Sequence, residues 1–149
     1  MRMARIKQLT VCKVFTFDAA HRLHNHSWHL PMNKEVFGKC NDLHGHTYRL
    51  EVEVAEDVLA DLPPLMLQKR EESGMVVNFS DLSAVVKERV LEVVDHKYIN
   101  DILHIDTPTA EILLAWIHNQ LDANLPPGIV LKRMRLWETP TAFAEVLYE

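Results

Sequence analysis

The chain has 149 residues, 48% of them hydrophobic and 25% charged, with a formal net charge of −5 at pH 7. This length fits one domain with its own core, so we expect a single domain over residues 1–149. The acidic balance argues against a nucleic-acid-binding protein, and no apolar run approaches the roughly 18 residues of a membrane helix. Two cysteines are too few for a disulfide scaffold. With no signal peptide evident, they favour a reduced protein in the cytoplasm.

The first strand and the stretch after it are predicted from side-chain alternation. Residues 9–19, LTVCKVFTFDA, alternate apolar and other side chains and are rich in Val, Phe and Thr, which is typical of a strand. Residues 20–43 show neither helix nor strand periodicity and contain Pro31 and Gly38, so they are predicted to form a long loop. Such a loop is uncommon in a compact domain and often carries function.

The middle of the chain predicts a second strand and a helix. From His46, the sequence HTYRLEVEVA alternates again. Its apolar face would consist of Tyr48, Leu50, Val52 and Val54. Residues 57–74 are interpreted as a connection with some local structure. In the segment that follows, Asn78 or Ser80 can cap a helix. Its apolar stripe at helical spacing is Leu82, Val85, Val86, Val90 and Val93.

A second helix and two strands complete the chain. Thr107 or Thr109 is expected to cap the helix, which ends before Pro126. Its predicted stripe is Ile112, Ala115, Trp116 and Leu121. The segments IVLKRMRLWE and AFAEVLYE, separated by the turn TPT, predict the third and fourth strands.

This order of elements predicts an α+β fold: a four-stranded antiparallel sheet with two helices on one face. Four strands leave two sheet edges open, so we expect association with other subunits.

Three histidines are candidate metal ligands. His44 and His46 are two residues apart in a strand and therefore point to the same side, while Gly45 allows another segment to approach closely. His21 ends the neighbouring strand. Three imidazoles with an open fourth position are typical of catalytic zinc. The alternative is a chance pair of histidines satisfied by hydrogen bonds. Further candidate ligands are His24, His26 and His29. The alternative is that these three are exposed loop residues.

Cys40 lies four residues before His44. A nearby metal cation, together with Lys39, would favour its thiolate, which could act as a base or a nucleophile. The alternative is a small apolar residue in a loop, which is how most free cysteines behave, Cys12 included.

Acidic groups offer further candidates. Asp95 can orient and charge-stabilise His96 as a proton carrier if the helix ends there, and a helix C-terminal histidine favoured by the macrodipole is an equal alternative. Glu138 could accept hydrogen bonds from a flat, amidine-like ring edge. Glu111 is another acidic candidate, and the alternative is that it is an ordinary acid of a first helical turn.

Six motifs together resemble the 6-pyruvoyl-tetrahydropterin synthase family, which includes the bacterial 6-carboxytetrahydropterin synthases of queuosine biosynthesis. These motifs, in the family's order and spacing, are FDAAHRL, FGKCNDLHGHTY, VVNFSDL, DHKYIND, PTAE and LWETP. The resemblance runs from about Phe15 to Tyr148. It implies the tunnelling fold, in which the sheets of several subunits join into a barrel, usually as a homohexamer of two trimers with sites between subunits.

The resemblance also implies a role for each matching residue. The zinc ligands would be His21, His44 and His46. The catalytic residues would be Cys40 and the proton-transfer pair Asp95 and His96. The pterin ring would be anchored by Glu138, with Thr109 and Glu111 in the ring-binding segment. The implied substrate is 7,8-dihydroneopterin triphosphate, whose side-chain hydroxyls zinc would bind and acidify. The nearest candidates for its triphosphate are Arg22, Lys34 and Lys39.

Two branches of the family differ in their product. Three residues separate Cys40 from His44, which resembles the carboxy-forming bacterial enzymes, whereas FGKCN resembles the animal, pyruvoyl-forming type. The short spacing favours 6-carboxytetrahydropterin synthase, which releases acetaldehyde and triphosphate. The alternatives are a pyruvoyl-forming enzyme, which eliminates triphosphate from the same substrate, and a non-catalytic zinc- or pterin-binding module. The module would need none of Cys40, Asp95 and His96, so their joint presence argues against it.

Overall fold

The computed structural model describes residues 4–149. The strands in this range are β1 (Thr10–His21), β2 (His44–Glu56), β3 (Lys97–Tyr98), β4 (Ile129–Thr139) and β5 (Ala142–Leu147). The α-helices are α1 (Leu30–Phe37), α2 (Pro64–Ser73), α3 (Phe79–Val86), α4 (Glu92–Val94), α5 (Ile99–Leu103) and α6 (Ala110–Leu121). A 3-10 turn follows α1 at Gly38–Asn41, and a π turn, Lys87–Leu91, joins α3 to α4. Of these helices, none is both long and apolar enough to cross a membrane.

The strands form one sheet in the order β3-β1-β2-β4-β5. The four long strands pair antiparallel, as predicted, and the α+β class is confirmed. The prediction of four strands omitted β3, which pairs parallel to β1 at Ala19 and Ala20. Two residues are too few for alternation to reveal a strand. The chain reaches this position through His96, whose backbone φ is 60°.

One face of the sheet packs against helices and forms the core. The predicted apolar face of β2 is confirmed, because Tyr48, Leu50, Val52 and Val54 are fully buried. From α3 to α4, the buried residues are Leu82, Val86, Val90 and Val94. The predicted stripe there was partly wrong, since Val85 and Val93 are only half-buried. The opposite face of the sheet carries polar side chains such as Glu51, together with the apolar Val14, Trp137 and Phe143.

The predicted stripe of α6 was correct at Leu121 and wrong in phase at its other three residues. The buried residues are Leu113, Leu114, Ile117 and Leu121, whereas Ile112 and Ala115 are exposed and Trp116 is half-buried. Both sets have helical spacing, because this helix is apolar on more than one side. Periodicity alone therefore left the orientation of the helix open.

The predicted long loop over residues 20–43 was also wrong, because it contains α1 and the 3-10 turn. The cap of α1 is His29, whose Nδ1 accepts a hydrogen bond from the amide of Met32 (3.1 Å). Histidine is not among the preferred caps, so the start of this helix carries no ordinary signal. The buried Asn33 then fixes the preceding loop, since its side chain bonds the backbone of Asn25 at both the amide and the carbonyl.

Two other connections match their predictions more closely. The cap of α3 is Asn78, whose side chain accepts from the amide of Ser80 (2.9 Å). The connection over residues 57–74 contains α2, which has no buried residue. This helix therefore adds nothing to the core.

Candidate active site

Three imidazoles meet at one end of the core face, as predicted. The antiparallel register of β1 and β2 pairs His21 with His44 and places Ala19 opposite His46. Each histidine offers one ring nitrogen, and these atoms all lie within 4.8 Å of one another. We refer to His21, His44 and His46 as the imidazole trio.

Gly45 makes this convergence compatible with close strand packing. A Cβ atom at this position would lie 3.3 Å from the carbonyl oxygen of Ala19. The predicted close approach of a neighbouring segment is therefore confirmed, and that segment is β1.

Backbone carbonyls orient two rings of the trio. The Nδ1–H of His21 donates to the carbonyl of Pro108 (2.9 Å), and that of His44 donates to the carbonyl of Asp42 (2.7 Å). With a proton on Nδ1, each ring directs the Nε2 lone pair at the centre of the trio, where the two Nε2 atoms are 3.0 Å apart. The Tyr48 hydroxyl lies 3.4 Å from the same Nδ1 of His21. Such outer partners are typical of metal-binding histidines.

The electrostatics at two members of the trio, His21 and His46, favour neutral imidazole. Burial lowers the pKa of His21 despite its hydrogen bond to Pro108. Burial also lowers the pKa of His46, against the opposing effect of the Glu138 carboxylate. Neutral imidazole is the form that binds metals. Among the described residues, the buried Nε2 of His46 has no hydrogen-bond partner. A buried lone pair without a partner and a set of three converging imidazoles both fit a zinc ion.

Cys40 lines a cavity beside the trio. It lies in the 3-10 turn, which is held to the chain after β1 by hydrogen bonds from the amide of Leu23 to the Cys40 carbonyl (2.8 Å) and from the Asn41 side chain to the Leu23 carbonyl (3.0 Å). The cavity has a volume of about 240 Å³. Its polar lining residues are Cys40, Thr109, Glu111 and Glu138. The structure thus brings together four residues that the sequence analysis proposed from separate segments.

The start of α6 forms one wall of this Cys40 cavity. Of the two predicted caps, Thr109 is the one used, because its Oγ1 accepts from the amide of Ile112 (3.3 Å). Glu111 lies in the first helical turn and is exposed. Both positions are set by the same segment whose Pro108 carbonyl orients His21.

Glu138 connects the Cys40 cavity with the trio. Its Oε1 lies 3.5 Å from Nε2 of His21 and 3.6 Å from Nε2 of His46. Glu138 was predicted to bind the ring, whereas its proximity to the trio was not predicted. The signal was absent because it depends on the register between β2 and β4, which local patterns do not reveal.

Asp95 and His96 do not reach the Cys40 cavity in the same chain. They lie past the end of α4, at the edge of β1, where the amide of Asp18 donates to Asp95 Oδ1 (2.9 Å) and the amide of His96 donates to the Asp18 carbonyl (2.6 Å). Nδ1 of His96 is 3.0 Å from Asp95 Oδ1. The hydrogen bond from the Asp18 amide, with that from His96, lowers the pKa of Asp95.

In this acid–base pair, Asp95 and His96, the histidine lines a different groove. The groove is lined by Asp18, residues 45–47 of β2 and residues 96–98. No described residue lines both this groove and the Cys40 cavity. Asp18, which was not predicted as a site residue, also belongs here. Its carboxylate accepts from the Thr47 hydroxyl (2.5 Å) and lies within 4.8 Å of the pair. Its only signal was a polar position in an alternating strand.

The remaining candidates lie apart from the trio. His26 contacts Asp106 (2.9 Å), His24 packs against His26, and His29 caps α1. Of the residues proposed for triphosphate, Lys34 and Lys39 are exposed, and Arg22 is half-buried with an Nε that lacks a partner in the described chain.

Comparison with known proteins places this arrangement in a family. The sequence profile described as 6-pyruvoyl tetrahydropterin synthase matches residues 10–149. The 6-carboxy-5,6,7,8-tetrahydropterin synthase of Synechocystis sp. is 37% identical over 134 residues, which cover 90% of this chain and 89% of that protein. The dihydroneopterin monophosphate aldolase of Pyrococcus furiosus is 33% identical over 123 residues, which cover 83% of this chain and 83% of that protein.

A solved structure shows the same fold. The Caenorhabditis elegans 6-pyruvoyl tetrahydropterin synthase superimposes with a TM-score of 0.76 at 28% identity, and the match covers 99% of this chain and 100% of that one. The tunnelling fold implied by the sequence motifs is therefore confirmed. Closure of the sheet into a barrel involves several subunits and stays a prediction.

Proposed function

The chain belongs to the 6-pyruvoyl tetrahydropterin synthase family, and from this premise we propose that it is a zinc-dependent lyase acting on 7,8-dihydroneopterin triphosphate. With water, this substrate would give 6-carboxy-5,6,7,8-tetrahydropterin, acetaldehyde and triphosphate, the reaction of a queuosine-type pathway. The named Synechocystis relative supports the choice of product. The observation that carries the proposal is that Glu138 borders both the imidazole trio and the Cys40 cavity.

Glu138 determines how a pterin would lie. A pterin ring presents adjacent N–H groups, which a carboxylate can accept as paired hydrogen bonds. With the ring on Glu138 and the wall formed by Thr109 and Glu111, the substrate's side chain would lie between the trio and Cys40. A small cavity with a few convergent polar groups suits such a ligand.

The trio and Cys40 would divide the chemistry. A zinc ion held by His21, His44 and His46 would polarise the side-chain hydroxyls of the substrate and lower their pKa. Cys40 would take up or deliver a proton at a side-chain carbon beside the ring. The carbonyls that orient His21 and His44 would keep the ligand nitrogens in place during turnover.

The acid–base pair would come from another subunit. His96 lines a groove separate from the Cys40 cavity, so one chain does not bring all the required groups to one site. Among the described strands, β5 pairs only with β4, and residues 10–18 of β1 pair only with β2. These edges could pair between copies. We therefore propose a homohexamer, formed from two trimeric barrels, with active sites between subunits.

Location and phosphate binding complete the proposal. Both cysteines are free in the structure, which suits a reducing compartment such as the cytoplasm. Arg22, with its unpartnered Nε, together with Lys34 and Lys39, would bind the triphosphate.

The test is product analysis by mass spectrometry. We expect the zinc-loaded protein to convert 7,8-dihydroneopterin triphosphate to carboxytetrahydropterin, with acetaldehyde released. A chelator should abolish the reaction and added zinc should restore it. Pyruvoyltetrahydropterin without acetaldehyde would instead support the pyruvoyl-forming alternative, which the C. elegans structure and the FGKCN motif favour.

Other outcomes would contradict the proposal. Turnover of a dihydroneopterin monophosphate but not of the triphosphate would point to the activity named for the P. furiosus relative. Binding of a pterin without turnover of any of these compounds would support the non-catalytic module.

A further inference from the structure

The carboxylate of Glu138 lies closer to the imidazole trio than the binding of a pterin ring requires. A single oxygen, Oε1, approaches Nε2 of both His21 and His46, at 3.5 and 3.6 Å. These are the nitrogens that the ring orientations and burial make available to a metal. The Glu138 side chain is 30% exposed, so it has room to move, whereas the His21 side chain is only 1% exposed.

The distances match the edges of a coordination tetrahedron. Zinc bonds to nitrogen and oxygen of about 2.0–2.1 Å place neighbouring ligand atoms about 3.3–3.4 Å apart. The two distances from Glu138 lie just above this spacing, and the 3.0 Å between Nε2 of His21 and His44 lies just below it. Small adjustments would therefore bring Oε1 into a shared coordination sphere with two of the three histidines.

We propose that Glu138 is a fourth, displaceable ligand of the metal held by the trio. In the substrate-free protein its carboxylate ligates the metal and reduces the net charge of the site. When a pterin ring binds, the same carboxylate turns to the ring's N–H groups and leaves the fourth position. This second half of the inference rests on the proposed function, and the first half does not.

The location of Glu138 supports an exchange between two positions. It lines the Cys40 cavity together with Thr109 and Glu111, so a ring in that cavity would reach it without entering the trio. Sites closed by four protein ligands retain zinc, whereas catalytic sites need an open position. An exchangeable carboxylate would provide both properties, with the metal retained between turnovers and exposed only when substrate is present.

The first experiment measures zinc affinity without any pterin, by competition with a chromogenic chelator. Glu138→Gln should weaken zinc binding about tenfold or more, because it replaces an anionic ligand by a neutral amide. Glu138→Asp keeps the charge on a side chain shorter by one carbon. Its zinc affinity should lie between those of Glu138→Gln and the unmodified protein. Glu111→Gln is the matched control, since that acid lines the same cavity and no contact with the trio is found. It should bind zinc like the unmodified protein.

The second experiment uses the visible absorption of the cobalt-substituted protein, which reports the ligands directly. Glu138→Gln should change this spectrum and Glu111→Gln should not. Adding 6-methylpterin, which has the ring but no side-chain hydroxyls, to the unmodified protein should shift the spectrum toward that of Glu138→Gln. Circular dichroism of each variant would show that the fold is retained.

Equal zinc affinities and equal cobalt spectra for Glu138→Gln and the unmodified protein would overturn the inference. Weaker affinity with an unchanged spectrum would also overturn it, since Glu138 would then act through charge alone. An unchanged spectrum with bound 6-methylpterin would overturn the displacement. If no pterin triphosphate is turned over, the proposed function fails, yet the pterin-free measurements still decide whether Glu138 is a ligand.

Discussion

The imidazole trio lies on β1 and β2, and the acid–base pair, which follows α4, contacts β1 at Asp18, yet different forces hold the two groups. The trio is on the core face, where strand register positions the three rings and carbonyl partners orient those of His21 and His44. The acid–base pair is at the strand edge, where the His96 side chain is 76% exposed and its backbone adopts a φ of 60°. The trio is complete within one chain. His96 of the pair lines a groove that shares no described lining residue with the Cys40 cavity.

Removing a member of the trio should have the largest effect. His44→Ala should lower zinc affinity by more than about 100-fold, because changes to outer partners of a metal ligand alone cost 10–100-fold. Catalytic turnover should be lost with the metal. Metal analysis after dialysis and the turnover assay would measure both losses.

His26→Ala is the control for this variant, since that exposed histidine contacts Asp106 rather than the trio. Equal zinc loss in the two variants would contradict the site assignment.

Removing the Cys40 thiol should separate chemistry from metal binding. Cys40→Ala should reduce turnover about 100- to 10,000-fold, the range expected for loss of a positioned acid–base group. Zinc content should stay unchanged, because Cys40 lines the cavity beside the trio and is not one of the three histidines that could hold the metal.

Cys12→Ala provides the matched control, since Cys12 is a free cysteine outside this cavity. A Cys40→Ala variant with undiminished turnover would support the non-catalytic module instead.

The buried histidines should make the metal-free protein sensitive to mild acid. Burial lowers the pKa of His21 and His46 below the ordinary value of 6.5, so the unfolded chain binds more protons than the folded one as pH falls through this value. Folding stability should therefore decrease below about pH 6.5 and level off below the folded pKa values. Thermal unfolding of the zinc-free protein across this range measures the effect. A melting temperature that does not change with pH would contradict it.

The acid–base pair should show the smallest effect on stability, at lower pH. The pKa of Asp95 is depressed below its ordinary value of 3.8 by its hydrogen bonds. Its contribution is therefore present above pH 3.8 and is lost as pH falls through the folded pKa. Because the side chain is 40% exposed, Asp95→Asn should cost less than about 1 kcal/mol near neutral pH. Denaturant titrations at several pH values would measure this loss of stability in Asp95→Asn. A loss that becomes larger as pH falls would contradict the predicted pH dependence.

The sequence predicted those parts of the molecule that depend on local alternation. His44 and His46 share a face in any strand, and His21 follows from pairing two strands that are consecutive in the chain. The core face of β2 was predicted for the same reason. Local patterns did not predict features that depend on a single unusual contact, such as the His29 cap of α1 or the two-residue β3.

Long-range placement could not be predicted from residue patterns. The convergence of Cys40, Thr109 and Glu138 in one cavity was implied only by the family resemblance. The proximity of Glu138 to the trio and the contact of Asp18 with the acid–base pair were missed altogether. The predicted buried face of α6 was wrong in phase because apolar residues occur on several sides of that helix. Each of these features is set by tertiary packing.

The most direct test of the account is complementation between two inactive variants, Cys40→Ala and His96→Ala. If one subunit supplies Cys40 and its neighbour supplies His96, mixed assemblies formed by co-expression should contain intact sites. Random mixing predicts about a quarter of the normal activity, because each site requires an unmodified residue from both contributors. Absence of activity in assemblies shown by mass spectrometry to be mixed would contradict a site shared between subunits.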